Sequence, residues 1–287
     1  MDSLRRIDKA LERAIRCNDR CPPRLRDTLH YALFPGGARI RPRLTLAVAE
    51  ACGAEQRYLV DAAAAAIEMM HCASLIQDDL PCFDDSPTRR GKPSVHAMHG
   101  ERLAILASDA LIVAAFDTLA ALPRVSLATL VALQGILGQG VGLRGGITAG
   151  QAWECETEID LEEYHRAKTG ALFAAATMAG AAAAGVAHQP WSLTGEMLGR
   201  AYQVADDLRD AVAAAADLGK PVGRDADLGR PSAVRERGVQ QSAARLKELV
   251  GRALDAIPPC PGADGFAAVV KAEACRLIPK EVAQSAA

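Results

Sequence analysis

Four aspartates fall within the stretch "LIQDDLPCFDDSPTRRG", residues 75–91: Asp78, Asp79, Asp84 and Asp85. A second group, Asp206, Asp207 and Asp210, lies in "QVADDLRD". Like charges this close repel, and carboxylates beside an apolar helix lose hydration. Each group is therefore either a solvated acidic surface or a place where cations sit. In a helix, positions i and i+4 share a face about 6 Å apart along the axis, at a cost of only about 0.2–0.5 kcal/mol for like charges. Asp206 and Asp210 have that spacing and can grip one cation. In the first group Pro81 disturbs a regular helix, so that the extra residues loop out and Asp84 returns toward Asp78. Carboxylates are hard oxygen donors, and the hard cation that suits them here is Mg²⁺. Magnesium usually takes one or two carboxylates and completes its shell with waters and substrate phosphates, so the aspartates predict a phosphorylated substrate.

The basic residues agree. Arg39, Arg41 and Arg43 follow a glycine pair in "GGARIRPR"; Arg89, Arg90 and Lys92 follow the first acidic group. Lys168 begins "KTG", and Lys220, Arg224 and Arg230 follow the second group. Guanidinium forks match phosphate oxygens. With 33 Lys and Arg in the chain some would fall there by chance, but they flank both acidic motifs.

The elements that must carry these residues read as helices. Half of the 287 residues are hydrophobic, only 4% are aromatic, and alanine dominates. Alanine is the best helix former, and β-branched alternation is scarce, so the chain reads as all-α. Helices are expected at about 3–17, 22–33, 41–52, 56–80, 101–122, 125–150, 160–187, 192–216, 239–256 and 264–276. Clusters such as "FPGGAR", "SPTRRGKP", "DLGKPVGRD" and "PPCPGADG" punctuate them, and none is long enough for an interdomain linker. One large helical domain over 1–287 is expected. "LIQDDL" and "QVADDL" each close an Ala-rich run; if both helices line one core, their carboxylates project into one cavity.

A net charge of −2 gives no reason to expect nucleic acid or an anionic membrane as partner. The eight cysteines lie singly, apart from a CxxxC spacing at Cys17 and Cys21, without zinc spacing. They read as reduced, buried thiols of a cytoplasmic protein. The N-terminal "MDSLRRIDKALERAIR" has no apolar signal core. "GALFAAATMAGAAAAGVA", residues 170–187, approaches membrane-span length, but its alanines and glycines suit a closely packed central helix better. No transmembrane segment is expected.

With these motifs in order from about 30 to 235, the chain resembles the trans-type (all-E) isoprenyl diphosphate synthases. The carriers are "GGARIRP" (36–42), "DDLPCFDD" with "RRGKPSVH" after it, "AGQAWE" (149–154), "KTG" (168–170), "YQVADDLRD" (202–210) and "LGKPVGRD" (218–225). The wording of "HCASLIQDDLPCFDD" and "KTGALFAAATMAG" is most similar to bacterial geranylgeranyl diphosphate synthases of carotenoid and bacteriochlorophyll pathways.

The resemblance implies the isoprenoid synthase fold, helices around a central cavity, and a homodimer. It implies that Asp78, Asp79, Asp84, Asp206, Asp207 and Asp210 bind Mg²⁺, three ions with substrate present, bridged to an allylic diphosphate. Arg89, Lys168, Thr169, Gln203 and Lys220 would hold that diphosphate, with Arg230 keeping the charge where the family often has lysine. Arg41, His71 and Arg90 would hold isopentenyl diphosphate, with Gly37 shaping their loop, and Gln151 would lie near the reacting allyl group. The catalytic set is then Asp78, Asp79, Gln151, Lys168 and Asp206. Read alone, His71 is a satisfied core histidine; the family match reverses that.

Two further departures matter. Ala38 replaces a lysine expected to touch isopentenyl diphosphate, with Arg39 or Arg43 as candidates to compensate, and Glu154 stands where aspartate is usual. The product expected is geranylgeranyl diphosphate. Ala73 and Ser74 lie five and four residues before Asp78, positions where, in this family, bulky aromatics stop growth at fifteen carbons; the resemblance implies that their small side chains let the chain run on toward Met70 and Ile67. The alternatives are a farnesyl diphosphate synthase, a terpene cyclase, which would usually carry an Asn/Ser/Glu triad in place of "DDLRD", and a non-catalytic subunit of a heteromeric synthase.

Overall fold

Long runs of Ala, Leu, Ile and Met broken by Gly and Pro favour helix as the regular structure, and most of the described residues are helical. The computed structural model describes residues 2–17, 20–216 and 233–277. By its internal packing the chain divides into two units, 1–137 with 179–186, and 138–178 with 187–287.

The first unit contains α1 (Ser3–Ala14), α2 (Pro23–Leu33), α3 (Ile40–Ala51) and α4 (Arg57–Asp78). A two-stranded antiparallel hairpin follows, β1 (Thr88–Arg89) and β2 (Lys92–Pro93), with Thr88 opposite Pro93 and Arg89 opposite Lys92. Its turn residues Arg90 and Gly91 both have positive φ, 53° and 74°, the backbone of a tight two-residue hairpin turn. Then come α5 (Val95–His99), α6 (Glu101–Ala120) and the first part of α7 (Leu127–Val141). The core is built on α4, whose Ala63–Ile67, Met69 and Met70 are buried and which packs on α6 and α3. α2 starts with Pro23 at its first position, where the missing N–H is no loss.

The second unit holds α8 (Ile147–Ala152), a 3₁₀ turn (Trp153–Cys155), α9 (Leu161–His165), a π-turn (Arg166–Gly170), most of α10 (Ala171–Ala183), α11 (Trp191–Ala216), α12 (Ala233–Asp255) and α13 (Ala263–Leu277). Asp160 caps α9 by accepting hydrogen bonds from the Glu162 and Glu163 amides. The expected close packing along residues 170–187 is found within each unit. Leu172, Phe173, Ala175 and Ala176 are buried in the second unit, and Gly180, in the first, lies so near the Thr45 carbonyl that a methyl group would collide with it.

Several expected boundaries shift. The helix expected at 125–150 is two, α7 and α8, because Gly142, Gly145 and Gly146 interrupt it, Gly145 with φ of 87°. The helix expected at 160–187 contains the π-turn. The cysteines depart from the buried reading: of the eight, only Cys72 is buried, and burial beside Glu68 pushes its thiol up to about 12. By length and composition α4 and α6 could each cross a membrane, and neither is the segment singled out from sequence.

Candidate functional site

In the first unit α4 ends at Asp78, and the chain turns back on itself as Pro81 requires. The Asp84 amide donates to the Asp78 carbonyl at 2.9 Å, and the Ser86 amide to the Asp79 carbonyl at 3.1 Å. Asp78 and Asp84 are half-buried. Asp79 is buried and already engaged: Arg89 Nε lies 3.0 and 3.2 Å from its two oxygens, and Nη2 lies 2.6 Å from Oδ1. The hairpin brings Arg89 there. The expected metal ligand Asp79 thus spends its carboxylate on the expected phosphate ligand Arg89, whose guanidinium is held charged by it.

A second group in the same unit gathers around His71. Arg41 Nη1 lies 3.3 Å from His71 Nε2. Desolvation, then the charges of Arg41, Arg90, Arg89 and Arg39, hold the imidazole well below its ordinary range, so it is neutral at pH 7 and Nε2 can accept from the guanidinium. Arg90 donates to the Gly36 carbonyl, and its guanidinium occupies the space a side chain at Gly37 would need. Gly37 also has φ of 131°, so glycine is needed there twice over. The unit therefore brings Gly37, Arg90, Arg41 and His71 into one neighbourhood.

Arg39 does not belong to that group as a spare phosphate ligand. It is 7% exposed in a left-handed conformation, donating to Glu68 at 2.7 Å, to Asp8 at 3.2 Å and to the Leu33 carbonyl. It ties the "GGARIRP" loop to α1 and α4, and compensation for Ala38 cannot come from it. Ala73 and Met70 are each 1% exposed, and the Ala73 carbonyl accepts from Ser108 of α6 at 3.2 Å. The Ser74 hydroxyl donates to the His71 carbonyl at 2.9 Å.

In the second unit the π-turn carries Lys168 and Thr169. The Thr169 hydroxyl donates to Gln203 Oε1 at 2.9 Å, and Gln203 Nε2 donates to Asp207 at 3.0 Å. A chain of oriented groups so runs from the Lys-Thr pair to the second aspartate motif. Asp206 is half exposed and paired with Arg209 at 2.7 Å; Asp210 follows one turn on in α11. Lys168 Nζ lies 2.5 Å from Glu154 Oε1. Gln151 is buried on α8. Lys220, Arg224 and Arg230 lie outside the described residues.

The donors fit a hard divalent cation. Asp78, Asp84, Asp206 and Asp207 offer carboxylate oxygens, as Mg²⁺ prefers. Among the described residues no three His, Cys, Asp or Glu close into a cage. Sequence reading missed the hairpin, Glu154's ion pair and Tyr164's part in it. The hairpin had a signal, a two-residue step ending in Gly between Arg89 and Lys92; the ion pair had none.

Residues 22–257 match the family model described as polyprenyl synthetase. The chain is 50% identical to a geranylgeranyl diphosphate synthase of Cereibacter sphaeroides, with 97% of each chain covered. It is 46% identical to one of Rhodobacter capsulatus, with 96% of each covered. Among solved structures, a Helicobacter pylori geranyltransferase complexed with magnesium and isoprenyl diphosphate superposes with a TM-score of 0.79 at 26% identity, covering 96% of this chain and 98% of that one.

Proposed function

The chain belongs to the polyprenyl synthetase family, and from that premise we propose that it condenses isopentenyl diphosphate with an allylic diphosphate (dimethylallyl, geranyl or farnesyl) to give geranylgeranyl diphosphate. The observation that carries the reading is a pair of cations kept against carboxylates: Arg89 on Asp79 and Lys168 on Glu154. The resemblance assigns both to diphosphate binding, and a phosphate can draw on such a cation. The two bacterial relatives, both named for the geranylgeranyl product, favour this reading over the farnesyl and non-catalytic alternatives.

Bond cleavage in an allylic diphosphate leaves an allyl cation and a diphosphate. Arg89, Lys168 and Thr169 donate to the departing diphosphate, Gln203 orients Thr169, and Lys220 and Arg230 add charge. Asp78 and Asp84, with Asp206, Asp207 and Asp210, would hold Mg²⁺, three ions with substrate present, while Asp79 fixes Arg89. When bound, Mg²⁺ neutralises charge developing on the leaving group. Gln151 lies by the reacting allyl group. Arg41, Arg90 and neutral His71 hold isopentenyl diphosphate, whose double bond attacks the cation. A proton then leaves, with the departed diphosphate as acceptor. Apolar walls exclude water that would quench the cation; the small side chains of Ala73 and Ser74, with Met70 beyond, set how far the tail runs.

The chain acts as one synthase domain, supported by a family match that runs through both units. It works as a cytoplasmic homodimer without a membrane span, in isoprene biosynthesis that supplies carotenoid-type pathways. The apolar helix α4 is accounted for by the core, in which most of it is buried. α6 leaves Ile105, Leu106 and Val113 exposed, and α7 leaves Leu127 and Val131 exposed, an apolar face of the kind a second copy covers. The deciding experiment is incubation with farnesyl and isopentenyl diphosphates plus Mg²⁺, with product length read by chromatography. Geranylgeranyl diphosphate is expected, and Ala73→Phe should shift the product to farnesyl diphosphate, starting from geranyl diphosphate, at similar turnover. No consumption of isopentenyl diphosphate would sink the synthase reading; an unchanged spectrum in Ala73→Phe would sink the chain-length assignment.

A further inference from the structure

We propose that Glu154 is the positioning residue that aims Lys168, with Tyr164 holding Glu154 in place, so that the "AGQAWE" segment is the seat of the Lys-Thr turn. The proposal rests on the reading of Lys168 as a diphosphate-binding cation.

A lysine ammonium is a point charge on a four-carbon stem with rotatable donors. Left to itself in a pocket it spreads over many rotamers. Here Nζ lies 2.5 Å from Glu154 Oε1, with only 19% of the lysine and 12% of the glutamate side chain exposed. The Tyr164 hydroxyl donates to the same Oε1 at 2.6 Å, and the Tyr164 ring centroid lies 5.7 Å from Nζ. The tyrosine therefore acts on the lysine twice, through its ring and through the carboxylate.

The backbone fixes this arrangement. α8 runs so close to the π-turn that a side chain at Gly150 would fall on the backbone of Ala167 and Lys168. Glu154 follows in the 3₁₀ turn directly after α8. The lysine's Cα and the carboxylate that receives its ammonium are thus set by one backbone-to-backbone contact. An ammonium has three N–H donors. With one held on Glu154, the directions of the other two are no longer free.

A glutamate near an expected diphosphate repels it, so it costs affinity for the ground state. What it returns is an aimed charge where negative charge grows as the bond breaks, which acts on kcat. A merely structural glutamate would lower the melting temperature and leave kcat per folded molecule, and KM, unchanged.

The test is steady-state kinetics with farnesyl diphosphate varied at saturating isopentenyl diphosphate, beside thermal melts. Glu154→Gln should lower kcat about tenfold or more, with KM for farnesyl diphosphate unchanged or lower by about threefold. Glu154→Asp, which keeps the charge, should recover most of the rate. Tyr164→Phe should lower kcat about threefold in the same pattern; it removes only a hydroxyl and carries the test if Glu154→Gln folds poorly. In a Lys168→Ala background, Glu154→Gln should change kcat less than twofold. A full kcat in both Glu154→Gln and Tyr164→Phe overturns the proposal, as does an equal loss with Lys168 already removed. If Lys168→Ala itself leaves kcat/KM for farnesyl diphosphate unchanged, the diphosphate role of Lys168 is what has failed.

Discussion

In the first unit Arg89 closes on Asp79 through Nε and Nη2 together, against a carboxylate that is 3% exposed; in the second, Lys168 reaches a single oxygen of Glu154. Both are cations kept on a carboxylate, but the two holds differ in kind. A guanidinium fork on both oxygens of a carboxylate is set by its own planar geometry. An ammonium on one oxygen needs outside help, and the second unit supplies it with Tyr164 and with the seat under Lys168. The lesson is that the same task, directing a cation against a carboxylate, is solved by side-chain shape in one unit and by backbone packing in the other.

The largest effect comes from the carboxylates themselves. Asp78→Ala and Asp206→Ala should each cut condensation by about a thousandfold, roughly 4 kcal/mol of transition-state stabilisation, and EDTA should do the same until Mg²⁺ is restored. The measurement is incorporation of labelled isopentenyl diphosphate. Undiminished turnover in a metal-free sample would show that neither acidic group holds a metal, and the comparison would concern ion pairs alone.

Exchanging the two cations comes next. Arg89→Lys gives up the fork and leaves the buried Asp79 only partly satisfied, so stability should fall by about 1–3 kcal/mol, read from the urea midpoint. Lys168→Arg keeps the charge on a pair that packing already aims, so stability should change by under about 1 kcal/mol while kcat falls about tenfold. Equal stability losses in the two exchanges would mean that the holds do not differ.

Ala38→Lys adds an ammonium to the "GGARIRP" loop, whose cations are all arginines. Residue 38 is exposed beside Gly37, so the new ammonium should lower KM for isopentenyl diphosphate about threefold and leave kcat nearly unchanged, a uniform binding effect. An unchanged KM there, together with an unchanged KM in Arg41→Ala, would move the isopentenyl site elsewhere.

The smallest effect is that of pH on His71. Its pKa is lowered in the folded chain, so the unfolded chain binds the proton first. Stability contributed by neutral His71 is then full above about pH 6.5 and falls as pH drops below that value toward the folded pKa. Between pH 7 and 8 KM for isopentenyl diphosphate should vary less than about twofold on its account. An imidazole resonance of His71 that titrates near its ordinary value would refute this.

Much of this was legible in the residues. Alanine-rich periodic runs gave the helices, and Pro81 foretold the turn that brings Asp84 back to Asp78. The pairing of Asp79 with Arg89 was not legible, because Arg89 lies ten residues on, past an irregular turn, and spacing cannot say which way a turn points. Arg39 misled for a similar reason: its burial depends on Glu68 and Asp8, which lie in other helices. "LEEYHRAKTGALF" consists of residues a regular helix accepts, and the wide turn within it reflects a tertiary contact at Gly150.

That wide turn has one more consequence, a matter of phase. A π-turn takes up one residue more than the α-turn it interrupts, which offsets the helix beyond it by about 100°. Leu172, Phe173 and Ala176 therefore face the core at an angle that counts the extra residue. Removing any one residue between Arg166 and Gly170 would give a smoother helix and rotate that face away from its partners. Removing one from the exposed stretch at 156–158 would not carry this penalty. The segment that holds Lys168 is thus locked in length by the packing that follows it.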